Sequence, residues 1–174
     1  VYVARAIAEP FLAALVREAE SVEPTWPDPA RGHLGPFIFP PQAETVAAHI
    51  ADAVAKGARV LAGGTVETLG GGKYLRPTVL ADVTLDMRVM REETFGPVIP
   101  VTLFDDIEDA IAQANASDYG LSAAVYAGSM EEAAAIGARL DAGAISLQDG
   151  ALTSMVGDAT NHSRKQSGLG ASRM

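Results

Sequence analysis

The chain has 174 residues, 48% of them apolar, a net charge of −9 and no cysteine. That length suits one domain of ordinary size with a real core. The acidity, with no cluster of Lys and Arg, argues against a nucleic-acid partner and serves solubility instead. Without cysteine no disulfide forms and redox chemistry gives no clue to the compartment. No apolar run reaches the roughly 18–20 residues of a membrane span, and no basic-then-apolar leader is present. The expectation is a soluble, cytoplasmic protein with no membrane partner.

In chain order, Val1–Arg5 alternates apolar with small or polar residues and predicts a short strand. The sequence starts without Met, as though in mid-strand, and stops after Arg173-Met174; both ends read as cut. Ile7, Phe11, Leu12, Leu15 and Val16 mark one face of a helix over 7–20, with Pro10 tolerated in its opening and Glu9 complementing its dipole. Pro24, Pro27, Pro29, Pro36, Pro40 and Pro41 fall in an irregular loop over 23–41, read as internal to the domain. Pro41 opens a helix to Lys56 with the stripe Val46, Ile50 and Val54, and Gly57 stops it. His49 reads as a surface residue of that helix.

Arg59–Ala62 predicts a strand. Gly63-Gly64 and Gly70-Gly71-Gly72 bracket 65–69; with no phosphate-loop pattern and no helix directly behind them, they predict a flexible hairpin. Pro77–Val83 reads as a strand, Leu85–Arg91 as a short helical turn, and Val98–Phe104 as one buried strand. Asp105 and Asp106 can cap the following helix, whose stripe is Ile107, Ala110, Ile111 and Ala114. Tyr119-Gly120 breaks it. A strand over 121–127 follows, then a capping box, Ser129 with Glu132, opening a helix through Leu140, and a strand over 144–147. This β-α-β-α-β alternation predicts an α/β fold, a mostly parallel sheet with helices on its faces. Ligands of such sheets gather at the carboxyl ends of strands, just after Phe104, Ala127 and Leu147. The tail, 148–174, has little periodicity.

The histidines, 33, 49 and 162, are far apart with no cysteine to join them, so no metal site is expected. Neither a GxSxG nucleophile elbow nor a GxGxxG fingerprint is present. What stands out is Glu92-Glu93-Thr94-Phe95-Gly96-Pro97, directly before a buried run. A charged, aromatic loop feeding a strand can face a cleft. Read by themselves, the same residues fit two solvated carboxylates and a core Phe better, since most loops carry no functional residue; composition and spacing stop at a soluble α/β domain.

Those six residues, a strand ending Phe104-Asp105-Asp106, and Ala114-Asn115-x-x-x-Tyr119-Gly120-Leu121-Ser122-Ala123 resemble the C-terminal part of the NAD(P)-dependent aldehyde dehydrogenase catalytic domain. Further stretches do so in the same order: Gly35-Pro36 with Gln42, the run 55–64, Tyr74-Leu75-x-Pro77-Thr78-Val79-Leu80, Gly143-Ala144-Ile145-Ser146 and Lys165-x-Ser167-Gly168-x-Gly170. The resemblance implies that family's catalytic-domain type truncated at both ends, with 1–174 a partial catalytic domain and the dinucleotide-binding domain absent. It implies oxidation of an aldehyde to an acid through attack by a cysteine thiolate, with hydride passing to NAD or NADP. Glu93 would hold the nicotinamide ribose hydroxyls and Phe95 would pack near the ring. The loop carrying Gln148, Asp149 and His162 would border the aldehyde tunnel.

The departures are as informative. The family's cysteine lies just before the stretch that Val1-Tyr2-Val3 resembles, and its base glutamate is also upstream, so no catalytic residue is expected within this chain. Ser146 and Gln148 stand where the family usually carries an Asn close by, and the chain stops before the family's oligomer-forming tail strand. The chain alone is therefore expected to be inactive, to expose apolar surface and to self-associate. The alternative is a non-catalytic module that docks onto a partner chain carrying the missing half, or binds a nucleotide weakly.

Overall fold

The computed structural model describes residues 1–150, 161–168 and 171–172, in two units, Val1–Asp106 and Ile107–Met174. In the first unit, strand β1 (Tyr2–Ala4) runs through a 3-10 turn (Arg5–Ile7) into helix α1 (Ala8–Ser21). The loop after it contains a cis Trp26–Pro27 bond and is closed by a bridge between Pro24 and Leu34. Helix α2 (Pro40–Ala55) begins on its two prolines, where first-turn amides have no helical partner. It ends before Gly57, whose φ of +102° is the left-handed stop that glycine supplies.

The buried face of α2 is Ala43, Val46, His49, Ile50 and Ala53. This corrects the expected stripe. Val54 is 47% exposed, whereas His49 is completely buried rather than on the helix surface. A histidine can occupy a core position when both ring nitrogens find partners, and here they do.

Strands β2 (Arg59–Ala62), β3 (Val66–Leu69), β4 (Gly72–Leu75) and β5 (Thr78–Ala81) follow. β3 and β4 form an antiparallel hairpin closed by Gly70 and Gly71 at φ +56° and +85°. Positive φ at both central residues suits the twist of a two-residue hairpin loop, which explains the glycines. The glycine runs thus build the predicted hairpin.

β5 is the centre of the unit, buried at all four positions. It pairs antiparallel with β2 on one side and, beyond the short helix α3 (Arg88–Arg91), parallel with β6 (Val98–Pro100) on the other. Alternate β5 side chains point to opposite faces. Leu80 joins Val46, Ile50 and Met87 in the main core, and Val79 joins Ala19 and Ala62 with Leu15 and Val16 packed on them. Helices α2 and α1 therefore cover opposite faces of one strand. The run expected as a single strand divides. β6 belongs to β5, while β7 (Thr102–Phe104) pairs parallel with β1. Val101 donates to Leu80 and Thr102 donates to Val1, so the chain exchanges one neighbour for another within two residues. Asp105, one of the two expected caps, forms an ion pair with Arg5 at 2.8 Å.

The second unit contains α4 (Ile107–Asn115), β8 (Tyr119–Gly120), β9 (Ser122–Val125), α5 (Met130–Gly137) and β10 (Ala144–Leu147). β9 and β10 pair in parallel across α5, a βαβ unit. The N-cap of the box forms, with Ser129 Oγ accepting from the Glu132 amide at 3.1 Å, while the Glu132 carboxylate reaches one residue past the cap to accept from the Gly128 amide at 3.0 Å. Gly137 lies where a Cβ would come within 3.0 Å of Leu147, so the helix rests closely on the strand. The α-helix stops there, short of the expected Leu140: the Ala138 amide still bonds four residues back to Ala134, but those of Arg139 and Leu140 bond three back, to Ile136 and Gly137. Strands β11 (Asn161–His162) and β13 (Ala171–Ser172) pair antiparallel, as do β12 (Arg164–Lys165) and β8. The architecture is α/β with parallel pairs and added antiparallel ones. Among the described residues no helix is long and apolar enough to cross a membrane.

Replacing Leu80, fully buried in the core, with Ala is expected to cost about 2–5 kcal/mol in urea denaturation. Val54→Ala, on the exposed side of α2, is expected to stay within about 0.5 kcal/mol of the parent. Equal losses at the two positions would contradict the burial assigned to α2 and β5.

Candidate functional site

The loop between α3 and β6, Glu92 to Pro97, is fastened from below by three side chains. Gln42 Nε2 donates to the Thr94 carbonyl at 2.6 Å. His49 Nδ1 lies 3.1 Å from Thr94 Oγ1, and its Nε2 lies 3.2 Å from Glu92 Oε2. Arg88 makes a forked contact to both oxygens of Glu92, at 2.8 and 2.9 Å. A carboxylate oxygen only accepts, so His49 Nε2–H donates to Glu92, while Nδ1 meets a hydroxyl that can either give or take a proton. Downstream, a Cβ on Gly96 would come within 2.8 Å of Val46, so only glycine lets the backbone lie this close to α2. The Pro97 carbonyl accepts from the Thr78 amide at 2.7 Å, delivering the chain into register beside β5.

Thr94 is half-buried and bonded beneath; Glu92 is bonded to the same histidine although its side chain stays 49% exposed; Glu93 and Phe95 are exposed. Phe95 is 74% exposed, so it is not a core residue. Its φ of +43° is uncommon for a bulky side chain and marks local strain at this position. Beside it opens an apolar groove of about 430 Å3, lined by residues that include Phe37, Ile38, Phe39, Gln42, Phe95 and Pro97. An exposed carboxylate two residues from an exposed ring, on a clamped loop at the edge of an apolar groove, fits a ligand that carries both hydroxyls and a flat ring.

Electrostatics tighten the clamp. The hydrogen bond and charge of Arg88, with His49 behind it, hold the Glu92 carboxyl at about 2, well below the usual carboxylate range. Asp52 accepts from the Arg88 amide at 2.8 Å, so α2 also fixes the start of the helix that bears this arginine. His49, Gln42 and Arg88 were not among the expected site residues: Gln42 entered only through the family resemblance and His49 as a surface residue. The available signal was the polar pair Gln42 and His49, seven residues apart along the apolar face of α2.

In the second unit, Gln148 follows β10 with φ +57°. Its amide is committed to backbone: Oε1 accepts from Ala127 N at 3.0 Å and Nε2 donates to Ala127 O at 2.7 Å, tying together the carboxyl ends of β9 and β10. Asp149 is half-buried and His162 is exposed on β11. Most of the loop expected to border the substrate, 151–160, lies outside the described residues. Ser146 is buried, and its Oγ has no hydrogen-bond partner among the described residues. No group of three or more His, Cys, Asp or Glu among the described residues could hold a metal ion.

The whole chain, residues 1–174, matches the model of the aldehyde dehydrogenase family. The chain belongs to the aldehyde dehydrogenase family. It is 39% identical over 150 residues to a Mycolicibacterium smegmatis relative whose name specifies succinate semialdehyde and NADP(+), a match covering 86% of this chain and 29% of that protein. It superposes on PutA of Anabaena variabilis with a TM-score of 0.96 at 47% identity, over 99% of this chain and 37% of that one. The NAD+ complex of an aldehyde dehydrogenase from Bacillus cereus follows at TM-score 0.90 and 36% identity, over 98% of this chain and 34% of that one. The chain thus spans about a third of the length of the aldehyde dehydrogenases it matches. The cofactor of the family is NAD or NADP.

In this aldehyde dehydrogenase chain the Glu92 clamp has a defined pH window. Its carboxyl titrates near 2 when clamped and near 4.5 when free. Its contribution is therefore complete above about 4.5 and is lost as pH falls toward 2. Side-chain carboxyl NMR is expected to give a Glu92 midpoint near 2 that climbs toward the ordinary range in Arg88→Ala. An unmoved midpoint would show that Arg88 does not set it.

Proposed function

We propose that this chain forms the cofactor-gripping side of an NAD(P)-dependent aldehyde dehydrogenase that converts an aldehyde to a carboxylic acid. The observation that carries the reading is the outward presentation of Glu93 and Phe95 from a loop whose intervening residues are fastened to α2. Glu93 accepts the two ribose O–H groups next to the nicotinamide, a charge-assisted pair that fixes the ring where hydride must arrive. Phe95 lies against the ring and, with the groove residues, keeps water from it. When bound, the cofactor supplies the hydride acceptor. Asp149 and His162 border the aldehyde path, and Gln148 shapes it by joining the ends of β9 and β10.

The nucleophile is a thiolate, and these residues include no cysteine, so the chain by itself does not turn over aldehyde. The proposal places the protein in the cytoplasm as a self-associating chain acting on a small-molecule aldehyde. A second reading is a non-catalytic module docked on a chain that carries the nucleophile. It draws support from the same lack of cysteine and from Ile38 and Phe39, 102% and 64% exposed beside the groove.

NADH titrated into the purified chain and followed by its fluorescence is expected to bind weakly, with Glu93→Gln weakening it further, roughly tenfold, through loss of the charge on the acceptor. Equal binding by the variant would overturn the cofactor assignment. Mixed with NAD and a panel of aldehydes, the chain is expected to yield no NADH, and steady turnover would show that a nucleophile other than cysteine operates. Light scattering is expected to report species larger than a monomer; a clean monomer would mean that the exposed apolar residues do not associate.

A further inference from the structure

Three side chains reach the loop that presents Glu93, and they are not equivalent. Gln42 touches only Thr94, and Arg88 touches only Glu92. His49 alone among them touches both, with one ring nitrogen on each side of Glu93. We propose that His49 is a positioning residue for the cofactor: its imidazole fastens residues 92 and 94 to α2 and so sets the direction in which the Glu93 carboxylate leaves the protein. This rests on the reading of Glu93 as the ribose ligand.

His49 is fully buried, and its neighbours on the same helix, Val46, Ile50 and Ala53, lie in the main core beside Leu80 and Met87. The imidazole is therefore anchored to the best-packed part of the unit, not to another loop. A planar ring with nitrogens on two edges spans the gap between a hydroxyl and a carboxylate without any rotatable bond between them. Fixing the residues before and after Glu93 leaves its backbone little freedom. With residues 92 and 94 both bonded to the imidazole, the side chain between them, Glu93, is left exposed. An apolar side chain at position 49 would fill the same core volume. It would release the Thr94 hydroxyl and leave Glu92 to Arg88 alone, so the loop would keep its place while losing its aim. A ligand held by one carboxylate is sensitive to that aim, since a small displacement of the positioning group moves the reacting carbon out of line.

The test uses the full chain and four variants at the clamp. His49→Phe keeps a flat ring, slightly larger, and removes both nitrogens; His49→Asn keeps a polar atom at the place of Nδ1, and His49→Gln one at the place of Nε2. Thr94→Val removes one contact without touching the core. Amide hydrogen exchange by NMR reads the loop, NADH titration reads the ligand, and thermal melting reads the fold. The proposal expects His49→Phe to speed exchange at residues 93–95 while Ile50 and Ala53 stay protected, and to weaken NADH binding roughly tenfold. It expects Thr94→Val to give a smaller change in the same direction, and the Asn and Gln variants to recover part of the loss. Parental exchange and affinity in His49→Phe would overturn it. So would exchange raised evenly along α2 with a matching drop in melting temperature, which is the mark of an ordinary core residue. Should His49→Phe fail to fold, Thr94→Val combined with Glu92→Gln carries the same two outcomes. If Glu93→Gln leaves NADH binding unchanged, the cofactor reading falls, and the exchange measurement still decides whether His49 holds the loop.

Discussion

A polar ring inside a hydrophobic core is tolerated only if its nitrogens are bonded, since an unsatisfied buried group costs about 1–3 kcal/mol. His49 meets that requirement by reaching a loop 43 and 45 residues further along the chain. The requirement works in both directions. The core keeps its histidine because the loop supplies Glu92 and Thr94, and the loop keeps its shape because the histidine cannot leave. Gln42, Arg88 and Asp52 extend the same arrangement, so α2, α3 and the Glu92–Pro97 segment behave as one polar joint set into an apolar core.

The joint has somewhere to stand because β5 is buried on both faces. Leu80 looks toward α2 and Val79 toward α1, and one strand carries the packing of both helices. β6 is registered on β5 through the Thr78 amide and the Pro97 carbonyl, immediately after the loop. Each end of the presenting segment is therefore attached to a rigid element: helix at Glu92, sheet at Pro97. Strain at Phe95 is concentrated between those attachments, at a residue whose side chain is mostly in solvent. A clamped loop with a strained, exposed aromatic is what a ligand-binding segment needs, because the geometry is set before the ligand arrives.

Much of this was legible residue by residue. The capping box at Ser129 and Glu132 announced α5, Pro41 announced α2, and the glycine runs bracketing 65–69 announced a hairpin, each through a local rule of backbone geometry. The motif around Glu93 was visible as a motif, and its similarity to aldehyde dehydrogenases held over the whole chain. Its two readings, solvated carboxylates with a core Phe or a cleft-facing loop, could not be separated on composition. Burial of Phe95 depends on what α2 and Leu34–Phe39 do, and nothing adjacent in sequence records that. The misreadings have the same origin. His49 looked like a surface residue because helical periodicity ranks residues by polarity, and a polar residue with two distant partners breaks that ranking. The run 98–104 looked like one strand because its apolar character is continuous, while its hydrogen-bond partners change at Val101.

The amino-acid sequence by itself determined most helices and strands, the hairpin turn, the Ser129 cap and the absence of any thiol. These are properties of single residues and their near neighbours. Tertiary structure decided which polar side chains of the loop are bonded to the core and which are left exposed. Glu92 and Glu93 are chemically identical, adjacent and both exposed, yet Glu92 is held at about 2, first by Arg88 and then by His49. Arg88 is a neighbour four residues back on α3, but His49 reaches Glu92 only once the helix over 40–55 has been laid under the loop.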